Sequence, residues 1–95
     1  MTLGDAGLER EVLAMFAAQT VSLIGMLATL PPVAGALAHT LKGSARAIGA
    51  FAVAGAAERL EAAIQKGDDT AAPLAGLTDA VTEARAAIDA ILRRS

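Results

Sequence analysis

Apolar residues recur at intervals of three and four along the 95-residue chain, and prolines and glycines divide this pattern into segments. Such spacing places the apolar side chains on one face of an α-helix, whereas a half-buried strand would alternate apolar and polar residues. The interruptions are Pro31-Pro32, Gly49 and Gly67, which are residue types that start or stop helices. The sequence therefore predicts an all-α protein.

The spacing predicts four main helices with short connections, and hence an antiparallel up-down four-helix bundle in one domain, residues 1–95. We expect the central helix over residues 32–48, with Gly49 as its left-handed terminator, and the next over residues 51–66. The last helix is expected to begin near Thr70, a candidate N-cap, and to run almost to the carboxyl end.

The first helical region, residues 7–29, carries two apolar stripes that do not join smoothly. The stripes consist of Leu8, Val12, Met15, Phe16 and Gln19, and of Leu23, Met26, Leu27 and Leu30. We expect a break near residues 19–22 that separates a short accessory N-terminal helix, although one long helix also fits the pattern.

Composition excludes several classes of function. The net charge of -2 and the pI of about 5.2 argue against nucleic-acid binding, which needs a basic patch. The chain has no cysteine and one histidine, so a metal site would depend on carboxylates, and no acidic cluster offers one. Hydrophobic residues make up 55% of the chain, much of that share is alanine, and aromatic residues make up only 2%, which predicts closely packed helices.

One long segment, residues 12–38, contains no charged residue. A run of about 18 or more apolar residues is a candidate membrane span. Scattered polar residues and the Pro31-Pro32 pair interrupt this one, so a buried helix pair of a small bundle explains it better. Because no basic segment precedes the apolar stretch, a secretory signal is not expected and the default location is cytoplasmic.

The only histidine lies in the sequence HTLKGSARAIGA, residues 39–50. On a helix, Lys42 and Gly43 follow His39 at the third and fourth positions and share its surface. Leu41 and Ile48 fall on nearly the opposite side, so we expect His39 to be exposed. An exposed histidine without a function is also compatible with this pattern.

The pattern H-x-L-K-G-S-A-x-x-x-G-A resembles the histidine-containing phosphotransfer (HPt) domain of multi-step two-component signalling. Leu60 and Glu61 in the next helix match the hydrophobic-plus-polar pair of that family, and the helices agree in number and length. The resemblance implies that His39 accepts a phosphoryl group on Nε2 and passes it to an aspartate of another protein. Histidine suits this chemistry because its ordinary pKa of about 6.5 leaves most imidazole rings neutral at pH 7.

The predicted antiparallel hairpin places residues near Glu61 level with His39. Glu61 is therefore a candidate to accept a hydrogen bond from Nδ1–H and orient the ring, and Glu58 is the second choice. Glu61 could equally be an ordinary surface charge. Lys42 is predicted to lie beside the phosphoryl oxygens and offset their charge.

The remaining site residues are assigned by position. A glycine within a helix costs about 1 kcal/mol relative to alanine, so its presence beside His39 indicates that the missing side chain is useful. Gly43 is therefore predicted to give the partner steric access to the imidazole. Arg46 and Gly35 are candidates for partner contact, although Gly35 could also serve close helix packing. Ser44 and Gly49 are assigned structural roles.

No nucleotide-binding glycine loop is present, so the chain is predicted to be a phosphocarrier and not an enzyme with its own nucleotide site. The resemblance implies receiver domains of a hybrid histidine kinase and of a response regulator as partners, with Mg²⁺ on the receiver and no cofactor of its own. An HPt-like interaction module that carries no phosphate is the alternative.

We expect a monomer that contacts neither nucleic acid nor membrane. The initial methionine and the end soon after the last helix favour a free-standing protein over a domain of a larger kinase.

Overall fold

Four α-helices make up the fold of the protein, for which a computed structural model describes residues 6–29 and 32–94. They are α1 (Ala6–Leu27), α2 (Ala34–Ile48), α3 (Phe51–Lys66) and α4 (Ala71–Arg93). The described residues contain no strand, which confirms the predicted all-α class.

The predicted break in the first helical region is wrong, because α1 is one continuous helix and no separate accessory helix precedes it among the described residues. A single buried stripe runs along α1 and consists of Phe16, Thr20, Leu23 and Leu27. Thr20 can occupy this stripe because its hydroxyl donates to the Ala17 carbonyl at 2.7 Å. A polar side chain whose hydrogen bond is made within its own helix can be buried at little cost. The apparent gap between the two apolar stripes is therefore part of the core-facing surface.

Three residues of the predicted first stripe, Leu8, Val12 and Met15, are exposed. The buried stripe of α1 packs on α2 at one side and on α4 at the other. These exposed side chains lie on a flank of α1, where Val12 and Met15 border residues of α2 without being buried by them.

The helices pack in a closed ring in which α1 contacts α2, α2 contacts α3, α3 contacts α4 and α4 contacts α1. Each helix contributes one fully buried leucine to the centre: Leu27, Leu41, Leu60 and Leu77. Burial of a leucine contributes about 1.5–3 kcal/mol. Alanines fill most of the remaining core positions of α2 and α3, which lets these two helices approach closely.

The connection between α2 and α3 is short because Gly49 ends α2 in the left-handed conformation, with φ 82°. The N–H of the next residue, Ala50, then donates to the Ala45 carbonyl at 2.8 Å and satisfies one of the last carbonyls of the helix. α3 begins at once with Phe51, as predicted. This tight turn sets the register in which the side chains of α2 and α3 meet.

Two predicted helix starts differ in detail. α2 begins at Ala34, and Pro32 lies in the turn before it; Pro31 is outside the described residues. Thr70 precedes α4, but its side chain makes no capping bond. The preceding residue, Asp69, takes that role, since its Oδ1 accepts from the N–H of Ala71 at 3.0 Å.

By length and composition, α1 is the one described helix that could cross a membrane, with a mean hydropathy of 1.3 over its most apolar window. Core helices of soluble bundles meet the same criterion. α1 packs on α2 and α4 through its buried stripe, and so it does not indicate a membrane protein.

Candidate functional site

His39 lies near the middle of α2, and 67% of its side chain is exposed. The residues that hold this part of α2 in the bundle, Ala38, Leu41 and Ala45, are buried on the other side of the helix. The prediction of an exposed ring is confirmed. A rigid helix therefore presents the imidazole to solvent.

One nitrogen of the ring is held by α3. His39 Nδ1 lies 3.0 Å from Oε2 of Glu61, whose side chain is only 13% exposed. Because an ionised carboxylate can only accept, Nδ1 is assigned the proton in this bond, and in the neutral ring Nε2 then has the free lone pair. The neighbour of Glu61 along α3 is the fully buried Leu60, which fixes the backbone from which the carboxylate reaches the ring.

Lys42 contacts the same carboxylate. Its Nζ donates to Oε1 of Glu61 at 2.8 Å, and its side chain is 16% exposed. In the unphosphorylated protein the ammonium therefore lies on the Nδ1 side of His39, with Glu61 between them. The predicted contact of Lys42 with a phosphoryl group on Nε2 stays a prediction.

The pKa of the Glu61 carboxyl is lowered from its ordinary value of 4.5. The hydrogen bond from Lys42 is the largest cause; burial opposes it, and the hydrogen bond with His39 and the charge of Lys42 add to the lowering. Glu61 is therefore a carboxylate at neutral pH, in the form that can accept from Nδ1–H.

This lowered pKa predicts how stability changes in acid. A carboxyl whose pKa is lower in the folded state stabilises the fold fully above its ordinary pKa, and the contribution is lost as the pH falls through the lowered value. Glu61→Gln should therefore destabilise the protein at pH 7, and the difference from the wild type should shrink steadily below about pH 4.5. Urea unfolding of both proteins, from pH 7 to below pH 4.5, measures this difference in the free energy of unfolding. Glu58→Gln removes the same charge from an exposed pair and should change stability by less than about 1 kcal/mol; a constant difference for Glu61→Gln down to acid pH would contradict the assignment.

A second pair joins α2 and α3 one turn closer to the connecting loop. Arg46 Nη2 donates to Oε1 of Glu58 at 2.7 Å, and both side chains are 55% exposed. Glu58, the second choice for orienting His39, is thus paired with Arg46, and Glu61 is the carboxylate that the structure brings to the ring. The two pairs also show that α2 and α3 run in opposite directions, because higher residue numbers on one helix meet lower numbers on the other.

The two glycines of the predicted site have different surroundings. Gly43 is exposed, and a Cβ placed on it would have no atom of another residue within 4 Å beyond its own helix. No helix contact therefore explains Gly43, which leaves open space beside the imidazole. Gly35 is half-buried, and a Cβ there would meet Ile64 of α3 at 3.7 Å, an ordinary packing distance. Its predicted role in partner contact is not tested by this geometry.

On the α1 side of the site lies an uncharged groove of about 390 Å³. Its lining residues are Val12, Met15, Phe16, Gln19, Ser44, Ala47 and Ile48. Ser44 thus belongs to the wall of this groove and follows Gly43 directly along α2. The sequence prediction missed this surface, although the offset of Leu8, Val12 and Met15 from the stripe through Phe16 and Leu23 was a signal for it.

The described residues contain no group of three or more histidine, cysteine, aspartate or glutamate side chains that could hold a metal ion. The site brings together an exposed imidazole, the Glu61 carboxylate that bonds to it, and the Lys42 ammonium that bonds to the same carboxylate.

Comparison with protein families places the chain that carries this site. The family model described as Hpt domain matches residues 11–90, which is most of the chain. The chain belongs to the Hpt domain family. The matched range includes all of α2 and α3 and so both sides of the His39 site. Neither the curated proteins nor the solved structures give a match to this chain.

Hpt domains are phosphocarrier modules of two-component signalling, and they interact with histidine kinases and receiver domains. This Hpt domain presents its single histidine on the second helix, with Nδ1 bound to a carboxylate of the third.

Proposed function

We propose that this Hpt domain relays a phosphoryl group between receiver-domain aspartates, and that Nε2 of His39 carries the group. The observation that supports this most directly is the exposed ring whose Nδ1 is held by Glu61 at 3.0 Å, because it leaves Nε2 as the nitrogen available to attack. The proposed partners are the receiver of a hybrid histidine kinase and the receiver of a response regulator.

The transfer can be written with this chain's own atoms. The Nε2 lone pair of His39 attacks the phosphorus of an aspartyl phosphate, a P–N bond forms, and the P–O bond to the aspartate breaks. The aspartate leaves as a carboxylate with the bonding electron pair. The ring, still protonated at Nδ1, becomes a cation that faces the carboxylate of Glu61. Opposite charge at this distance favours the cation as it forms, and the reverse reaction delivers the group to a second receiver.

Lys42 has two parts in this proposal. Before transfer, it donates to Glu61 and keeps that side chain ionised and directed at Nδ1. After transfer, its ammonium moves to the phosphoryl oxygens and offsets their negative charge, as the sequence predicted. Lysine suits this exchange because its flexible stem carries a compact point charge.

The partner would dock over the exposed face of α2 and the uncharged groove beside α1. Gly43 lies on this face with open space above it, and Ser44 and Ala47 continue from it into the groove. The receiver supplies the aspartate and, we propose, the Mg²⁺, whereas this chain brings no nucleotide site. We place the protein in the cytoplasm as a monomer.

A transfer assay tests the proposal. Incubation with a phosphorylated receiver should give a label on this protein that is labile in acid and stable in base, as expected for a phosphoramidate bond. Addition of an unphosphorylated second receiver should remove that label. An interaction module without phosphate chemistry would bind the receivers and acquire no label, and that result would reject the relay.

Gly43 provides a test of access that is separate from the chemistry. Because nothing surrounds a Cβ at this position, Gly43→Leu should fold, and Gly43→Ala should be about 0.5–1 kcal/mol more stable than the wild type. A leucine side chain at this position would obstruct the approach of the receiver to the ring. We expect Gly43→Leu to lower transfer from a phosphorylated receiver at least about tenfold, which corresponds to about 1.4 kcal/mol lost at the contact. Labelling by a small donor such as phosphoramidate should continue in both variants. Equal loss with both donors would show that Gly43 acts on the ring and not on partner access.

A further inference from the structure

The two sides of His39 differ in charge. On the α1 side, the lining of the groove contains no charged residue. On the α3 side, Lys42 and Glu61 are bonded to each other and mostly buried. A partner that covers the ring therefore meets little exposed charge from these residues in the unphosphorylated protein.

Arg46 and Glu58 form an exposed ion pair between the same two helices, nearer to the loop that connects them. Each side chain is 55% exposed; Arg46 follows His39 by seven residues, about two turns of α2, and Glu58 precedes Glu61 by three residues on α3. An ion pair this exposed contributes little to the stability of the fold. The bond uses Nη2 of Arg46, while a guanidinium has five N–H donors, so a carboxylate of a partner can bind Arg46 without displacing Glu58.

We propose that the Arg46–Glu58 pair determines which receiver domains exchange a phosphoryl group with this protein. This inference rests on the proposed function, because the partner must be a receiver that covers His39. Charges across an interface set specificity and association rate more than affinity, and like charges brought together reject a wrong partner. The favoured receiver carries an acidic side chain opposite Arg46 and a basic one opposite Glu58, and a receiver with the reverse pattern is rejected.

A charge swap tests this directly. The double variant Arg46→Glu with Glu58→Arg keeps an ion pair between α2 and α3 and the same net charge, but reverses the pattern that a partner meets. Transfer rates are measured from a panel of purified phosphorylated receivers with differing surface charge. We expect the ratio of rates between at least two receivers to change about tenfold or more, since interfacial charge acts on association. Labelling by phosphoramidate, which needs no docking, should be unchanged.

The matched control is a second charge swap, Arg85→Asp with Asp89→Arg. Both residues are exposed on α4, which does not contact α2. This swap should leave the ranking of receivers as it is in the wild type.

Three results would overturn the inference. An unchanged ranking in the Arg46–Glu58 swap would show that receivers are selected elsewhere. A uniform loss with all receivers and with phosphoramidate would show that the pair serves the chemistry of His39. Failure of the wild type to accept label from any receiver would overturn the proposed relay, and the inference with it, whereas the first two results leave the relay intact.

Discussion

We expect His39→Gln to accept no phosphoryl group from a phosphorylated receiver, although the variant folds as the wild type does. Glutamine can keep a hydrogen bond to Glu61, but its amide nitrogen has no lone pair available to attack phosphorus. The side chain is 67% exposed, so its replacement should change the free energy of unfolding by no more than about 0.5–1 kcal/mol. The measurement is the acid-labile label after incubation with a phosphorylated receiver, together with urea unfolding of the same sample.

The control for this prediction is receiver binding, measured without phosphate. His39→Gln should still bind the receivers, because the groove beside α1 and the Arg46–Glu58 pair are unchanged. Normal labelling of the variant would place the phosphoryl group on another residue. Since this chain has no second histidine, such a result would end the relay hypothesis in its present form.

We expect the second large effect from Glu61→Ala, which should lower the transfer rate about 10–100-fold, by analogy with the loss of a group that orients a metal-bound histidine. Without the carboxylate, Nδ1 loses the acceptor that keeps its proton there, and part of the ring population carries the proton on Nε2. The cation formed during attack also loses its counter-charge. The label should still form, more slowly, because the nucleophile itself remains.

Two further variants separate the parts of this effect. Glu61→Gln keeps a carbonyl oxygen that can accept from Nδ1–H but removes the charge, so its rate should fall between those of Glu61→Ala and the wild type. Lys42→Met removes the donor that keeps Glu61 ionised. The ¹⁵N chemical shifts of the His39 ring report its tautomer directly. If these shifts were the same in Glu61→Ala as in the wild type, Glu61 would have no positioning role, even if the rate fell.

The four helices could be predicted from sequence because their limits are local. Gly49 precedes α3 and Gly67 ends it, and both positions are visible in the sequence. The turn after α2 requires a left-handed conformation, which glycine adopts without strain. The error in α1 has a tertiary cause. Thr20 is polar by type, but it is buried because its hydroxyl bonds within the helix, and only the positions of α2 and α4 show which stripe of α1 is covered.

The site divides in the same way. The sequence determined that His39 is exposed, because Leu41 and its helical neighbours must face the core, and it brought Lys42 and Gly43 to the same surface. It ranked Glu61 ahead of Glu58, because a hairpin that turns about Ala50 places residues near Glu61 level with His39. It could not exclude Glu58, which lies three residues away on the same helix. The tertiary structure decided between them, because α2 and α3 approach closely over their alanines. At this separation Glu61 bonds to His39 and Lys42, and Glu58 bonds to Arg46.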